Sequence, residues 1–127
     1  MQHVFRNYGV MNNWDAKREI MTVSKYRAVR TVVDGITFAS KKEAARYKEL
    51  KLLEKAGKIK DLVLQFSYPL EINGTLICRY RADFIYLTPA TFGHSRVVED
   101  CKGFKTPIYK LKKKLMKAIY GIDILET

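Results

Sequence analysis

Two segments with their own helix start and stop signals frame a long run of strand-like sequence, and this order most constrains the fold. Ser40-Lys41-Lys42-Glu43 has the capping-box pattern and opens a helix that Gly57 closes as a C-cap. Thr106-Pro107 supplies an N-cap and a first helical residue, and it predicts a helix that ends at Gly121. The residues between the two helices therefore have to supply most of a sheet, which indicates an α/β protein.

Strand signals fill the remaining sequence. Thr31–Val33 and Ile36–Phe38 flank Asp34-Gly35, a pair typical of a two-residue hairpin turn. Apolar, β-branched and aromatic runs predict three longer strands. The predicted order is hairpin, helix, three strands, helix and a last short strand, with the strands at Leu62–Tyr68 (limited by Pro69), Leu76–Leu87, Arg96–Lys102 (stopped by Gly103) and Ile122–Leu125.

The length and composition fit one basic domain. With 127 residues, the chain has about the length of a single domain, and 47% hydrophobic residues are enough for one core. Residues 1–24 lack sustained periodicity and are interpreted as an N-terminal arm, so the folded domain is predicted to cover 25–127. Lysine and arginine number 24 against 13 acidic residues, a net charge of +11 that favours a polyanionic partner.

Several classes of protein are disfavoured. The sequence has no apolar run that would span a bilayer, and its first residues lack the apolar core of a signal peptide, so no membrane association is expected. Its two cysteines, Cys78 and Cys101, are too few for a disulfide framework or a four-ligand zinc site. These features predict a cytoplasmic protein with reduced thiols.

Charged residues inside apolar strands form the candidate active site. Asp83 interrupts an apolar run, and Asp100 and Lys102 follow Val97-Val98. Alternation places Asp100 and Lys102 on one face of the strand and Glu99 on the other. If the two strands pair, Asp83 lies beside Asp100, where a divalent cation would relieve their repulsion. Mg²⁺ prefers such oxygen ligands, and a neighbouring lysine could act on a water or a phosphate. The alternative is that both aspartates simply face water at a sheet edge.

These residues resemble a known family. The order of acidic helix, Asp83, Asp100-Cys101-Lys102 and helix resembles the PD-(D/E)XK nuclease superfamily, with Ala82 in place of the proline. The resemblance implies a restriction-endonuclease-like αβββαβ core, with a mixed central sheet flanked by helices and preceded by the arm and hairpin. It also implies Mg²⁺ or Mn²⁺ as cofactor. Four segments are similar to the DUF1064 family of small phage proteins: Asp34–Phe38, Ser40–Ala44, Ala82–Phe84 and Val98–Thr106.

The helix offers two candidates for a third carboxylate. Glu43 fits the S-x-x-E pattern of transposase-type members of the superfamily, although a capping role explains it as well. Glu49 lies in the middle of a predicted apolar stripe, where a carboxylate needs a cation or donor such as Arg81. The catalytic set is therefore Glu43 (or Glu49), Asp83, Asp100 and Lys102, with Glu43, Asp83 and Asp100 as metal ligands. Gln65 is a minor candidate, because similar proteins place a glutamine there. The stripe comprises Ala45, Leu52, Leu53 and Ala56.

The second helix is strongly basic. From Lys102 to Tyr120 there are seven lysines and no acidic residue. Leu111, Leu115 and Ala118 are expected to form its buried stripe, which leaves lysines exposed to track DNA phosphates. The alternative is an ordinary solvated surface. The predicted DNA-binding residues are Lys105, Lys110, Lys113, Lys114 and Lys117.

The resemblance implies an endonuclease of phage recombination, of the Holliday-junction-resolvase type, in the cytoplasm of an infected or lysogenic bacterial host. Symmetric cleavage of branched DNA would require two active sites and hence a homodimer. Two other functions stay open. One is a non-enzymatic nucleic-acid-binding module that uses the basic helix, and the other is a phage protein that binds and inhibits a host nuclease. Convergence of Asp83, Asp100 and Lys102 would favour the enzyme.

Overall fold

The structure of the protein is a computed structural model that describes residues 29–127. The predicted arm over 1–24 lies outside the described residues. The described residues divide into two compact units, with the boundary between Ala44 and Ala45.

The first unit contains the predicted hairpin. Strand β1 (Thr31–Val33) pairs with β2 (Ile36–Phe38) in antiparallel register. The turn residues Asp34 and Gly35 have φ angles of 51° and 75°. This left-handed backbone is what the Asp-Gly pair tolerates and what a two-residue turn requires. The hairpin prediction is confirmed.

Helix α1 (Lys41–Lys55) begins at the predicted N-cap. The Glu43 backbone N–H donates to Ser40 Oγ at 3.2 Å, and Gly57 follows the helix with φ 75°. The predicted apolar stripe is wrong, because Leu52 is 68% exposed and Ala45 and Ala56 are also exposed. The buried positions are Glu43, Ala44, Tyr47 and Leu50. The buried face includes a glutamate, so the spacing of apolar residues alone predicts the wrong face.

The second unit is built on a four-stranded mixed sheet in the order β3-β4-β5-β6. The first three strands are antiparallel, and β6 runs parallel to β5. Asn73 and Gly74, with φ angles of 50° and 79°, form the predicted turn between β3 and β4. The prediction of a mixed α/β fold with a mixed central sheet is confirmed. The strands are β3 (Lys60–Ile72), β4 (Thr75–Pro89), β5 (His94–Asp100) and β6 (Leu125–Glu126).

Three predicted strand boundaries are wrong. β3 continues through Pro69, which is possible because β3 is an edge strand of this sheet and a proline there breaks no central ladder. β5 ends at Asp100, so Lys102 lies beyond the strand. The last strand starts at Leu125 rather than at Ile122, because its pairing with β5 begins opposite Glu99.

Helix α2 (Pro107–Tyr120) has the predicted caps: Thr106 Oγ1 accepts from the Tyr109 N–H at 3.1 Å, and Gly121 has φ 69°. Its predicted stripe is wrong at Leu111, which is 56% exposed, and at Ala118, whereas Tyr109 and Met116 are buried. Burial follows the large side chains that reach the sheet.

Within residues 29–127, no helix is long and apolar enough to cross a membrane. The core comprises Tyr68, Leu70, Tyr80, Ala82, Ile85, Val98, Tyr109, Met116 and Ile124.

Candidate functional site

The two strand aspartates lie opposite one another on neighbouring strands. β4 and β5 pair Phe84 with Glu99, and continuing this register by one residue places Asp83 opposite Asp100. Side chains at opposed positions point to the same face of a sheet. The Cys101 backbone N–H donates to Asp83 Oδ2 at 2.8 Å, while Asp100 is only 1% exposed. The predicted pairing of these strands is confirmed, and it places the two aspartates at opposed positions.

The outer strands extend this pair into a line across the sheet. The β3–β4 register places Gln65 opposite Asp83, and β6 pairs Glu126 with Asp100. Gln65 has φ 55°, a left-handed conformation that is uncommon for a residue with a side chain and is often found near functional sites. We call Gln65, Asp83, Asp100 and Glu126 the polar row. Gln65 was a minor candidate from the sequence, and Glu126 was missed.

The two oxygens of Asp100 have different environments. The buried Tyr80 hydroxyl donates to Oδ2 at 2.6 Å. Oδ1 lies 3.3 Å from Lys102 Nζ and accepts no hydrogen bond from the described residues. Lys102 thus reaches the same face as Asp100, as predicted, although it lies outside the strand. Burial, reinforced by the hydrogen bond to Asp100, raises the pKa of Tyr80. Tyr80 therefore stays protonated, and its hydroxyl holds Asp100 in place by donating a hydrogen bond to Oδ2.

Tyr109 of α2 connects Lys102 to Glu126. Its ring centroid lies 4.7 Å from Lys102 Nζ, close enough for a cation–π contact. Its hydroxyl donates to Glu126 Oε2 at 2.8 Å. Burial is the main cause that raises the pKa of Tyr109, followed by the hydrogen bond to Glu126. No sequence signal distinguished Tyr80 or Tyr109 from other core aromatics.

A groove of about 460 Å³ lies along α2, and we call it the lysine groove. Glu126 pairs with Lys113 at 2.8 Å and with Lys105 at 3.2 Å, and Asp123 pairs with Lys117 at 2.7 Å. Three of the lysines are therefore paired with acidic residues. The acids follow the helix in sequence, outside the lysine-rich segment. The lysine groove is lined by Lys105, Tyr109, Lys110, Lys113, Lys114, Lys117, Ile122, Asp123 and Glu126.

Glu99 forms a second acidic centre that the sequence did not predict. Its side chain is 0% exposed and accepts from Arg46 Nε at 2.7 Å and Nη2 at 2.9 Å. The Tyr86 hydroxyl donates at 2.8 Å, and Thr127 Oγ1 lies at 3.4 Å. Burial and the bond to Glu99 raise the pKa of Tyr86 to about 12. Adjacent carboxylates at 99 and 100 in an apolar strand were the signal, because alternation sends them to opposite faces.

The helix glutamates differ in exposure. Glu43 is buried at 6% exposure and belongs to the first unit, and its role as a third carboxylate stays a prediction. Glu49 is 63% exposed and pairs with Arg46 at 2.9 Å, so its expected place in a buried stripe, with Arg81 as an alternative partner, is wrong. In the described part of the chain, no three histidine, cysteine, aspartate or glutamate side chains group closely enough to hold a metal alone.

The second unit is that of an α/β protein whose mixed sheet carries two opposed aspartates. A lysine lies next to one of them, and a basic groove lies beside them. Over residues 23–124, the chain matches the family described as "Protein of unknown function (DUF1064)", and it belongs to that family. No curated protein and no solved structure matches the chain.

Proposed function

We propose that the protein is a metal-dependent DNA endonuclease of the PD-(D/E)XK superfamily, with a restriction-endonuclease-like αβββαβ core. The main support is the arrangement at Asp100. A buried carboxylate oxygen accepts no hydrogen bond from the described residues, has Lys102 at 3.3 Å and lies on the strand beside Asp83. A buried charge of this kind is costly unless a cation or donor completes its environment.

The residues present fit a hard divalent cation. Asp83 and Asp100 offer carboxylate oxygens from neighbouring strands, which is the ligand type that Mg²⁺ and Mn²⁺ take, usually with waters and phosphate oxygens completing the shell. Asp83 and Asp100 would hold the ion, and Glu43 stays the sequence-based candidate for a third carboxylate. When bound, the cation would lower the pKa of a water and offset charge on the scissile phosphate.

The surrounding residues have separable roles. Tyr80 holds Asp100 through Oδ2, which leaves Oδ1 as the oxygen available beside Lys102. The Cys101 N–H holds Asp83 in the same way through Oδ2. Lys102 carries a mobile ammonium group that can donate to a phosphate oxygen or orient the attacking water. Pre-orientation of this kind reduces the reorganisation needed during the reaction.

We further propose that the substrate is branched DNA, cut during phage recombination in the cytoplasm of an infected or lysogenic host. The lysine groove beside the aspartate pair supports a nucleic-acid substrate, because clustered lysines neutralise phosphates. Symmetric cleavage of a four-way junction would require a homodimer with two sites. Light scattering with and without junction DNA would measure that stoichiometry.

The test is cleavage of labelled four-way junction, duplex and single-stranded DNA with Mg²⁺, Mn²⁺ or EDTA. Wild-type protein should cut with a divalent ion only. Asp100→Asn should abolish cutting and keep or improve DNA affinity, because it removes a negative charge beside the phosphate. Lys102→Ala should also stop cutting while metal binding remains. Glu71→Gln removes an exposed carboxylate outside the polar row and is the matched control.

A parallel loss of cutting and DNA binding in Asp100→Asn would instead make Asp100 a folding or docking residue. In that case a non-enzymatic nucleic-acid-binding module becomes the better proposal. The observation that favours this second candidate is the lysine groove itself, which binds polyanions without any need for the aspartate pair.

A further inference from the structure

Glu126 lies in the lysine groove as an anion surrounded by donors. Lys113 Nζ lies 2.8 Å and Lys105 Nζ 3.2 Å from Oε1, and the Tyr109 hydroxyl donates to Oε2 at 2.8 Å. The hydrogen bonds from Lys113 and then Tyr109 are the main causes that lower the pKa of Glu126 to about 2. Three donors from α2 and the segment before it therefore converge on one anionic group.

The groove has more positive charge than Glu126 and Asp123 neutralise. Its lining includes five lysines and two carboxylates. Lys110 and Lys114 are exposed, and neither makes an ion pair with another described residue. Such a surplus of cations along a groove attracts extended anions. Phosphate oxygens accept the same ammonium and hydroxyl hydrogens that the Glu126 carboxylate accepts.

Glu126, one of the residues that line the groove, lies beside the aspartate pair in the sheet. Glu126 pairs with Asp100 in the β5–β6 register, and neighbouring strands lie about 4.8 Å apart. Tyr109 contacts Lys102 through its ring and Glu126 through its hydroxyl. A nucleic-acid strand with one phosphate near Lys102 can therefore pass Tyr109 and place a neighbouring phosphate in the lysine groove.

We propose that the lysine groove binds the phosphate backbone of that strand, and that Glu126 occupies a phosphate position until DNA replaces it at Lys105 and Lys113. The identity of the polyanion rests on the proposed function. Lysine ammonium groups on flexible stems can turn from the carboxylate to a phosphate without a change in the fold. Glu126 accordingly acts as an internal competitor that weakens DNA binding.

The experiment measures binding of labelled four-way junction and duplex DNA in EDTA, so that no cleavage is possible. Glu126→Gln is compared with Glu71→Gln, which raises the net charge equally but outside the groove. Glu126→Gln should bind more tightly, and the slope of log K against log salt should steepen by up to about 1 unit, because the displaced wild-type carboxylate takes up a cation that the variant does not. Its gain over wild type should then be up to about fourfold larger at 50 mM than at 200 mM salt. The gain should be equal for two unrelated sequences.

A second variant keeps the test decisive if Glu126→Gln does not fold. Lys110→Gln with Lys114→Gln should flatten the slope by up to about 2 units, while Lys55→Gln with Lys58→Gln, at exposed lysines outside the groove, should not. The proposal is overturned if Glu126→Gln matches Glu71→Gln, binds more weakly than wild type, or gains affinity for one sequence only. DNA that is bound in this way but never cut with Mg²⁺ would refute the nuclease proposal alone.

Discussion

Breaking the buried pair between Arg46 and Glu99 from one side should cost more stability than breaking any other ion pair described in the structure. Arg46 contacts two carboxylates, which allows an internal comparison. Glu99 is 0% exposed and accepts two guanidinium hydrogen bonds, whereas Glu49 is 63% exposed and accepts one at 2.9 Å. Arg46→Met removes both contacts, and Glu49→Gln weakens only the exposed one.

The expected cost follows from what Glu99 keeps. After Arg46→Met, its Oε1 retains the Tyr86 hydroxyl at 2.8 Å, but Oε2 retains only Thr127 at 3.4 Å. Breaking a buried pair from one side costs about 3–5 kcal/mol, because a charge stays buried without its partner. Glu49→Gln should cost less than about 1 kcal/mol, as exposed pairs do. Glu99→Gln should cost less than Arg46→Met, because Arg46 is 25% exposed and keeps Glu49 and water.

Urea unfolding followed by far-ultraviolet circular dichroism measures these differences through the transition midpoint, with an unchanged m value as the check for two-state behaviour. The double variant Arg46→Met with Glu99→Met should recover most of the loss, because it removes both buried charges. The reasoning is refuted if Arg46→Met costs no more than Glu49→Gln. It is also refuted if the double variant is as unstable as Arg46→Met, since the buried charge would then not be the cause.

Three further predictions concern Tyr80, the two glutamates of α1, and Glu126. Tyr80→Phe removes the donor to Asp100 Oδ2, so cleavage should fall about 10–100-fold and should be partly restored by higher Mg²⁺, as a metal titration of the rate would show. Glu43→Gln should match the activity loss of Asp100→Asn, whereas the exposed Glu49→Gln should keep activity; equal losses would contradict this assignment. The pKa of Glu126 is lowered on folding from 4.5 to about 2, so its charged form stabilises the folded protein relative to Glu126→Gln. This difference in unfolding free energy should be complete above pH 4.5 and should disappear as the pH falls through about 2, which unfolding at stepwise pH would measure.

The local sequence was sufficient for the turns, the caps and the position of the aspartate pair. Asp34-Gly35 and Gly121 require a positive φ, and residue type alone predicts such a backbone. The local sequence also predicts that Asp100 and Glu99 point to opposite faces, because successive side chains alternate along a strand. Asp83 came beside Asp100 because two long apolar strands that are consecutive in the chain tend to pair.

Only the tertiary structure decided which helix faces are buried and which charges meet. Arg46 and Glu99 are 53 positions apart, and Lys113 and Glu126 are 13 apart on different elements, so no local pattern links them. α1 buries a glutamate and exposes Leu52, which reverses the face that apolar spacing favoured. The physical reason is that turns and caps depend on the energies of neighbouring residues, whereas ion pairs and buried faces depend on which surfaces the packed sheet brings together.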